Sequence, residues 1–528
     1  MIHRYDIIII GTGAGGGTLA HALAGSGARI LVIERGDFVP REEENWNPEA
    51  VWKHLRYRID EHWLDERGRA FRPYTHYCVG GNTKFWGSVL YRLRREDFQD
   101  VEHVDGLSPA WPISYDDLEP YYERAERLYH VRGQHGVDPT EVPRGPFPYE
   151  AVPHSAAMEE IVGGLRSMGL HPSPLPLGLL RPGETDGCIL CNTCNSFPCK
   201  VGAKSDAEVC CVRHVMTQPT VTLWTRAFAR RLLTDGCRRR IAAVEVERNG
   251  ETVRVQAPLI VIACGAVNSA ALLLRSANDA HPDGLANSSG LVGKRLMLHP
   301  YMSVLGLYDE DLDSWLGPWG TPLLSLQFAD TDEARGFARG AQWDVMPIGG
   351  PLMALARYRN LPYEERWGRA VHGLIDKTVG RAFDWGIGIE DLPAEENTVT
   401  LDPALTDSDG IPAPKIAYRV DDDGRRNLAW QLARAKEAHE ASGAVETIVT
   451  DWSQWGWHLL GTCRMGDDPA TSVVDRFGRS HDVPNLFVVD GSVFVTSGPQ
   501  PPTATIAANA ARCAAHMIAT AGLQAIPA

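Results

Sequence analysis

The sequence predicts an α/β fold, α+β overall: a parallel sheet wrapped by helices, joined to a second unit built on an antiparallel sheet capped by helices. Three observations predict it. The chain opens with a buried strand, a glycine-rich turn, a helix and a second strand, the order that builds parallel sheets. The strand–turn–helix texture returns near residue 260 and again near residue 490. Between those two places, residues 300–445 lose it and carry sparse tryptophan, proline and charged patches. With 528 residues, 44% hydrophobic and 23% charged, the balance is globular, which excludes disorder, collagen and coiled coil as the main architecture.

Taken in order, residues 5–10 (YDIIII) read as a buried strand, 11–17 (GTGAGGG) as a turn, 18–28 as an Ala-rich helix, and 29–34 as a second strand ending at Glu34. Residues 40–72 show no clean period. A glycine loop follows at 79–90 (VGGNTKFWGSVL), then a Pro-Ser start signal and helical spacing over 118–129. Residues 140–187 are rich in proline and glycine and read as a long connection. Two alternating segments, 241–248 and 252–256, predict a hairpin turning at Asn249-Gly250. Residues 259–263 read as a strand and 266–276 as a helix. A helix is expected at 425–441, a strand at 485–489, a loop at 490–498 and an Ala-rich helix at 503–521. The expected division is discontinuous. Residues 1–110, 186–299 and 448–528 form a dinucleotide-binding domain; 111–185 and 300–447 form a substrate-binding domain with its connections.

Charge and hydropathy narrow the partners. Lys and Arg number 52 against 67 Asp and Glu, a net charge of −15, so no nucleic-acid partner is expected. The longest uncharged apolar stretch, 258–274, is interrupted by Gly265, Asn268 and Ser269 and predicts a strand turning into a helix, not a membrane span. The first ten residues read as a strand rather than a leader, so the expected location is the cytoplasm, where an extracellular disulfide framework is not expected.

The first motif is Gly11-x-Gly13-x-x-Gly16 between a strand and a helix. Gly11 permits the tight turn, Gly13 lets the backbone approach a pyrophosphate, and Gly16 allows close helix–strand packing. The helix N-terminus offers free N–H groups and a partial positive charge. Glu34 closes the second strand, where a carboxylate accepts hydrogen bonds from ribose hydroxyls and repels a 2′-phosphate. This Rossmann-like unit alone does not choose between FAD and NAD. Two later pieces favour a flavin: the strand ending at Ala263 before Gly265, and Val488-Val489-Asp490-Gly491-Ser492 before the last helix.

At this point the sequence resembles the glucose–methanol–choline (GMC) flavoprotein oxidoreductases. The resemblance rests on residues 79–87 (VGGNTKFWG), 458–466 (HLLGTCRMG), Asp490-Gly491-Ser492 and Pro502-Thr503, and covers nearly the whole chain. It implies that Gly80, Gly81, Asn82, Thr83, Phe85, Trp86 and Gly87 lie against an isoalloxazine. Some members carry a flavin-linked His in this loop; the matching position here is Phe85, which implies non-covalent FAD. His458 matches the catalytic histidine, a base beside flavin N5 with a reference pKa near 6.5. The helix after Pro502-Thr503 is implied to aim its N-terminus at the flavin pyrimidine ring. A second catalytic residue, His or Asn, normally precedes the Pro-Thr pair. Here the position is Pro501, so Gln500 substitutes, or His458 works without that partner, or the reaction differs. If 454–458 is a strand, Gln454 shares a face with His458 and is the candidate substrate contact, while Trp455 and Trp457 point to the core.

Six of eleven cysteines lie between Cys188 and Cys211, with CxxC spacing at Cys188, Cys191 and Cys194 and a fourth at Cys199. The reading adopted is structural thiols or a local disulfide, with no resident metal; an iron–sulfur cluster, known in some multi-subunit members, and zinc are the alternatives. The implied activity is FAD-dependent oxidation of a primary or secondary alcohol, with a sugar, glycoside, cyclitol or aminoglycoside-like substrate and O₂ or another electron acceptor. The alternatives are an FAD-containing lyase and a non-catalytic or redox subunit of a larger complex.

Overall fold

Four consecutive isoleucines, Ile7–Ile10, form the central strand of a parallel sheet and are all buried. The structure, a computed structural model, describes residues 2–520 apart from 105, 154–155, 192, 238, 318–323, 326, 331, 408–409 and 452–457. The strand β1 (Ile7–Ile10) leads into α1 (Ala14–Leu23) and returns through β2 (Ile30–Ile33). The helix α2 (Tyr115–Leu128) comes next, then β3 (Val221–Trp224) and an antiparallel meander, β4 (Ala227–Thr234), β5 (Ile241–Arg248) and β6 (Glu251–Gln256). The chain re-enters the first sheet as β7 (Leu259–Ile262), followed by α3 (Ala266–Arg275). A second sheet uses β8 (Tyr301–Leu307), β9 (Ala341–Pro347), then α4 (Pro351–Arg357), β10 (Ala382–Ile389), α5 (Asp422–Ala441) and β11 (Glu446–Asp451). The chain closes with β12 (Leu486–Val488) and α6 (Thr503–Thr520).

The first sheet runs β3–β2–β1–β7–β12, every pair parallel. Its pleat divides the isoleucines. Ile8 and Ile10 join Leu31, Ile33, Ile260 and Ile262 in the main core. Ile7 and Ile9 join Ile30, Val32 and Val261 under α1 and α6. Each fully buried isoleucine contributes about 1.5–3 kcal/mol. A parallel sheet buried on both faces leaves one concave place for a ligand, the crevice at the carboxyl ends of its strands.

The second sheet runs β9–β10–β8–β11, all antiparallel, with the short strand Leu324–Ser325 on the β9 edge. One face sends Trp343, Val345, Phe383, Trp385 and Ile387 into a separate core against α5. Trp343 Nε1 donates to Gln431 Oε1 of that helix at 2.9 Å. The other face is turned toward the first sheet's crevice.

The predicted hairpin is β5–β6, with Asn249 at φ 54° and Gly250 at φ 77°, the double positive φ of a type I′ turn. Helix starts differ from the periodic signal for local reasons. The helix α1 begins at Ala14 rather than 18, so Gly15, Gly16 and Gly17 lie inside it. A Cβ at Gly15 would sit 2.0 Å from Val489 O, and one at Gly16 would sit 2.1 Å from Gly11 O. Close packing, not propensity, places those glycines in the helix. The helix α2 starts at Tyr115 because Ser114 and Asp117 form a reciprocal capping box, and α5 starts at Asp422 because the Asp421 carboxylate accepts the Gly424 N–H at 2.6 Å. Among the described residues, no helix is long and apolar enough to cross a membrane.

Candidate functional site

Two cavities meet at the carboxyl edge of the parallel sheet. The first is a groove over the ends of β1, β2 and β7. Gly11, Gly13, Glu34, Gly81, Asn82, Thr83, Ala263, Gly265, Asp490, Gly491, Pro502 and Thr503 all line it. The second, about 620 Å³, lies between the 80–89 loop, the second sheet and α4, and its walls include Phe85, Trp86, Gly87 and Pro501. His76, Asn82, Thr83, His458 and Thr503 belong to both walls, so they ring the junction.

The groove fits a dinucleotide. Gly11 holds φ 106°, and a Cβ there would lie 2.2 Å from Ala263 O, so only glycine allows the turn. A Cβ at Gly13 would meet no atom within 4 Å, because that position opens on the groove. Glu34 is buried at the tip of β2, and burial pushes its carboxyl up. Its Oε2 accepts from Thr12 N at 3.2 Å and Thr12 Oγ1 at 2.5 Å, and its Oε1 accepts from Gly36 N at 3.0 Å. Asp490 joins the second and third motifs: its carboxylate accepts from Gly265 N at 3.0 Å, Ser269 Oγ at 2.5 Å and Ser492 N at 2.8 Å.

The glycine loop is fastened from below. Gly80, at φ 91°, donates its N–H to Thr12 Oγ1 at 3.0 Å. Thr83 Oγ1 donates to Gly80 O and accepts from Ala207 N. Lys84 Nζ is buried between Asp206 Oδ2 at 2.9 Å and Glu208 Oε2 at 2.6 Å, which together hold its pKa up. Asn82 Oδ1 accepts the His76 N–H at 2.9 Å. Phe85 stacks on His76 with ring centroids 3.7 Å apart. His76 Nδ1 donates to Tyr57 O at 2.8 Å, so its Nε2 is an acceptor; that atom is buried with no hydrogen-bond partner at the junction of the cavities.

His458 sits opposite His299, which sequence reading missed. Met297 and Leu460 exchange backbone hydrogen bonds at 3.0 and 3.1 Å, and this antiparallel bridge brings residues 299 and 458 face to face. His299 holds φ 52°, a strained conformation for a non-glycine residue that aims its ring at the site. Its Nε2 lies 2.6 Å from Gly498 O and its Nδ1 lies 2.8 Å from His458 Nδ1. The tautomers follow from this network. A carbonyl only accepts, so His299 Nε2 carries the hydrogen and His299 Nδ1 is the acceptor. His458 therefore donates from Nδ1 and holds its Nε2 lone pair free. Burial, then the neighbouring His299, push the His458 pKa well below the ordinary histidine value. Burial takes His299 down to about 4. Asp391 braces the relay, accepting Leu298 N–H at 2.7 Å and Tyr418 O–H at 2.9 Å, while its own N–H donates to Ser497 Oγ at 2.9 Å. Burial raises its pKa to about 8.

Some expected residues fall elsewhere. Gly16 packs beneath the groove against Gly11. Pro499 and Pro501 face the second cavity, but Gln500 between them turns into the interior near Asp97, fully buried, with neither amide atom hydrogen-bonded. This corrects the expectation that Gln500 substitutes for the missing His or Asn: alternate residues of an extended stretch face opposite sides. Gln454, Trp455 and Trp457 lie outside the described residues. Cys188, Cys191, Cys194 and Cys199 are not joined by disulfides, which removes the local disulfide. Among the described residues, no group of three or more His, Cys, Asp or Glu is placed to hold a metal ion. The cysteine segment is instead part of the cavity wall. Lys204 Nζ donates to the carbonyls of Trp86, Cys194 and Phe197 at 2.8–3.0 Å, and Asn195 and Ser196 line the second cavity. No spacing rule points to those two residues.

The two GMC oxidoreductase family descriptions match residues 5–301 and 393–510. The chain is 34% identical to paromamine 6'-oxidase from Streptomyces fradiae, over 97% of this chain and 90% of the relative. It is 31% identical to 2-methyl-1,2-propanediol dehydrogenase from Mycolicibacterium austroafricanum, over 96% and 94%. It is 28% identical to the fructose dehydrogenase large subunit from Gluconobacter japonicus, over 96% and 97%. The fold superposes on pyridoxine 4-oxidase from Mesorbium loti with a TM-score of 0.64 at 20% identity, covering 97% of this chain and 98% of that one. With two family descriptions and relatives above 30% identity spanning nearly its whole length, the chain belongs to the GMC oxidoreductases: it is an FAD enzyme that acts on CH–OH groups.

Proposed function

We propose that the enzyme oxidises a primary or secondary alcohol on a polyhydroxylated substrate, a sugar, glycoside, cyclitol or aminoglycoside-like molecule, to the carbonyl. The observation that carries this reading is the free Nε2 of a neutral His458 at the junction of the groove and the second cavity. Bound FAD supplies the hydride acceptor, N5 of its isoalloxazine. Gly11, Gly13 and the N-terminus of α1 would hold the pyrophosphate, Glu34 the ribose hydroxyls, and the loop from Gly80 to Gly87 the flavin. The N-terminus of α6, where Pro502 and Thr503 line the groove, would offer its positive end to the bound flavin. His458 Nε2 accepts the hydroxyl proton as the carbinol hydride departs, and the resulting charge is shared through Nδ1–H with neutral His299. Pro501 contributes cavity shape only.

Phe85 supports non-covalent FAD, since it offers no nucleophile at the position where a linking histidine occurs in the family. The names of the relatives, which include oxidases and dehydrogenases acting on a diol, a sugar and an aminoglycoside, support the substrate class and leave O₂ or another acceptor as the oxidant. We place the enzyme in the cytoplasm, and divide it into the discontinuous FAD-binding domain (1–110, 186–299, 448–528) and the substrate-binding domain (111–185, 300–447). The test is His458→Ala. Turnover should fall about 10²–10⁴-fold, the usual contribution of a general base, with the flavin still bound. Turnover that survives intact removes the base assignment.

A further inference from the structure

One face of α3 runs along the groove. Gly265, Asn268, Leu272 and Arg275 all line it, and the last three stand at helical spacing on one side of the helix. At 1.5 Å per residue Arg275 lies about 10 Å further along than Asn268. The near end is the motif end, where Asp490 holds the Gly265 N–H and Ala263 packs against Gly11. At the far end Arg275 meets Phe228 of β4, its guanidinium 5.6 Å from the ring centre. Phe228 is also close to the tip of β2, because its neighbour Ala227 donates its N–H to Glu34 O at 2.9 Å.

Two guanidiniums stand at this far end. Arg35, which follows Glu34, is engaged on several sides: it pairs with Glu61, and with Asp407 at 3.1 Å, and lies over the rings of Tyr77 and Phe228 at 4.2 and 4.1 Å. Arg275 differs. Among the described residues it makes no hydrogen bond and no ion pair, and its Nε is buried. The carboxylate that acts on it most, Asp407, is held by Arg35. Burial brings the Arg275 pKa down to about 10, so it stays charged at neutral pH. A buried charge left unmatched is unfavourable, so a ligand in the groove is the expected complement. Position decides which part of the ligand. With the pyrophosphate at Gly11, Gly13 and the N-terminus of α1 and the ribose at Glu34, the part of FAD that continues toward Phe228 and Arg275 is the adenine.

We propose that the Arg275 guanidinium binds the adenine base of FAD, with Phe228 beside it, and so sets how firmly the dinucleotide is retained. A purine suits a planar guanidinium twice over: its face attracts a cation, and its ring nitrogens accept hydrogen bonds. The negative charge of FAD sits on the pyrophosphate, whose seat is at the opposite end of α3. Arg275 is therefore a cofactor-binding residue with no part in proton or hydride transfer. The assignment rests on the seat proposed for pyrophosphate and ribose, and the test separates the two.

The holoenzyme is dialysed and the FAD dissociation constant read from flavin fluorescence, with adenosine, ADP and FMN as competitors. Arg275→Met, which keeps the reach of the side chain and removes its donors and charge, should raise the FAD dissociation constant about tenfold. It should weaken adenosine and ADP by the same factor, since both carry the base. FMN lacks the adenosine, so its affinity should agree within about twofold between wild type and variant, which also shows that the variant is folded. Arg275→Lys, which keeps the charge without the planar donors, should fall between the two. Unchanged FAD affinity in both variants overturns the proposal. A loss confined to FAD and ADP, with adenosine unaffected, overturns it as well, because the guanidinium then holds phosphate. Should Arg275→Met lose FMN too, Arg275→Lys decides by the same comparison. A wild-type enzyme that binds FAD but neither adenosine nor ADP overturns the seat itself, and the adenine assignment with it.

Discussion

At the scale of single residues, the site turns on two histidines. As the proposed base, His458 needs a free Nε2, and the chain of bonds from Gly498 O through His299 fixes that tautomer. A base acts only when unprotonated. Because burial and His299 hold the His458 pKa well below 6.5, the active form persists as pH falls through the ordinary histidine range. The kcat/KM profile should keep its plateau through pH 6.5 and lose activity only well below it; an acid limb centred on 6.5 would show that His458 is not the base or not neutralised by burial. His458 was legible in the sequence because it sits in the continuous HLLGTCRMG segment. His299 was not, because its partner lies 159 residues away and its aim comes from a left-handed φ that no local pattern announces. Gln500 misled for a related reason. Its polar side chain looked suited to the site, but side-chain direction between Pro499 and Pro501 is set by backbone alternation, which residue type does not reveal.

At the scale of elements, the βαβ unit is the most legible part, because its chemistry is local. Gly11, Gly13, Gly16 and Glu34 each serve within a few residues of a strand end, and the structure brings the first two and Glu34 to one groove. Glu34→Gln keeps the shape and the contacts to Thr12 and removes the charge. It should raise the FAD dissociation constant about tenfold, the scale of one charge-assisted hydrogen bond, as read by flavin fluorescence during dialysis. Unchanged FAD retention would take the ribose role from Glu34. Helix starts were less legible than helices, since Ser114 and Asp421 set them through single capping contacts and α1 begins among glycines that packing alone explains. The second sheet was legible only as a region without α/β texture. In AQWDVMP the alternation of Gln342, Asp344 and Met346 with Trp343 and Val345 is a two-faced strand, yet which face meets a ligand depends on α4 and α5 lying on opposite sides.

At the scale of the whole molecule, the two sheets divide the work. The parallel sheet places glycine turns and a helix N-terminus on the groove, while the antiparallel sheet places Gln342 and Asp344 on the second cavity; in the proposed reading the first serves the cofactor and the second the substrate. The junction forms where five side chains belong to both cavities, and it draws on segments from residue 76 to residue 503. Such an assembly exists only after the chain has closed, which is why composition and spacing point to the cofactor more readily than to the substrate. The direct test of this division is the visible spectrum of the anaerobic, FAD-loaded enzyme during titration with a panel of sugars, cyclitols and amino sugars. At least one member of the panel should bleach the flavin bands, with the matching carbonyl recovered in stoichiometric yield. Flavin bands that stay fully oxidised while a panel member demonstrably binds the second cavity would contradict alcohol oxidation at this site.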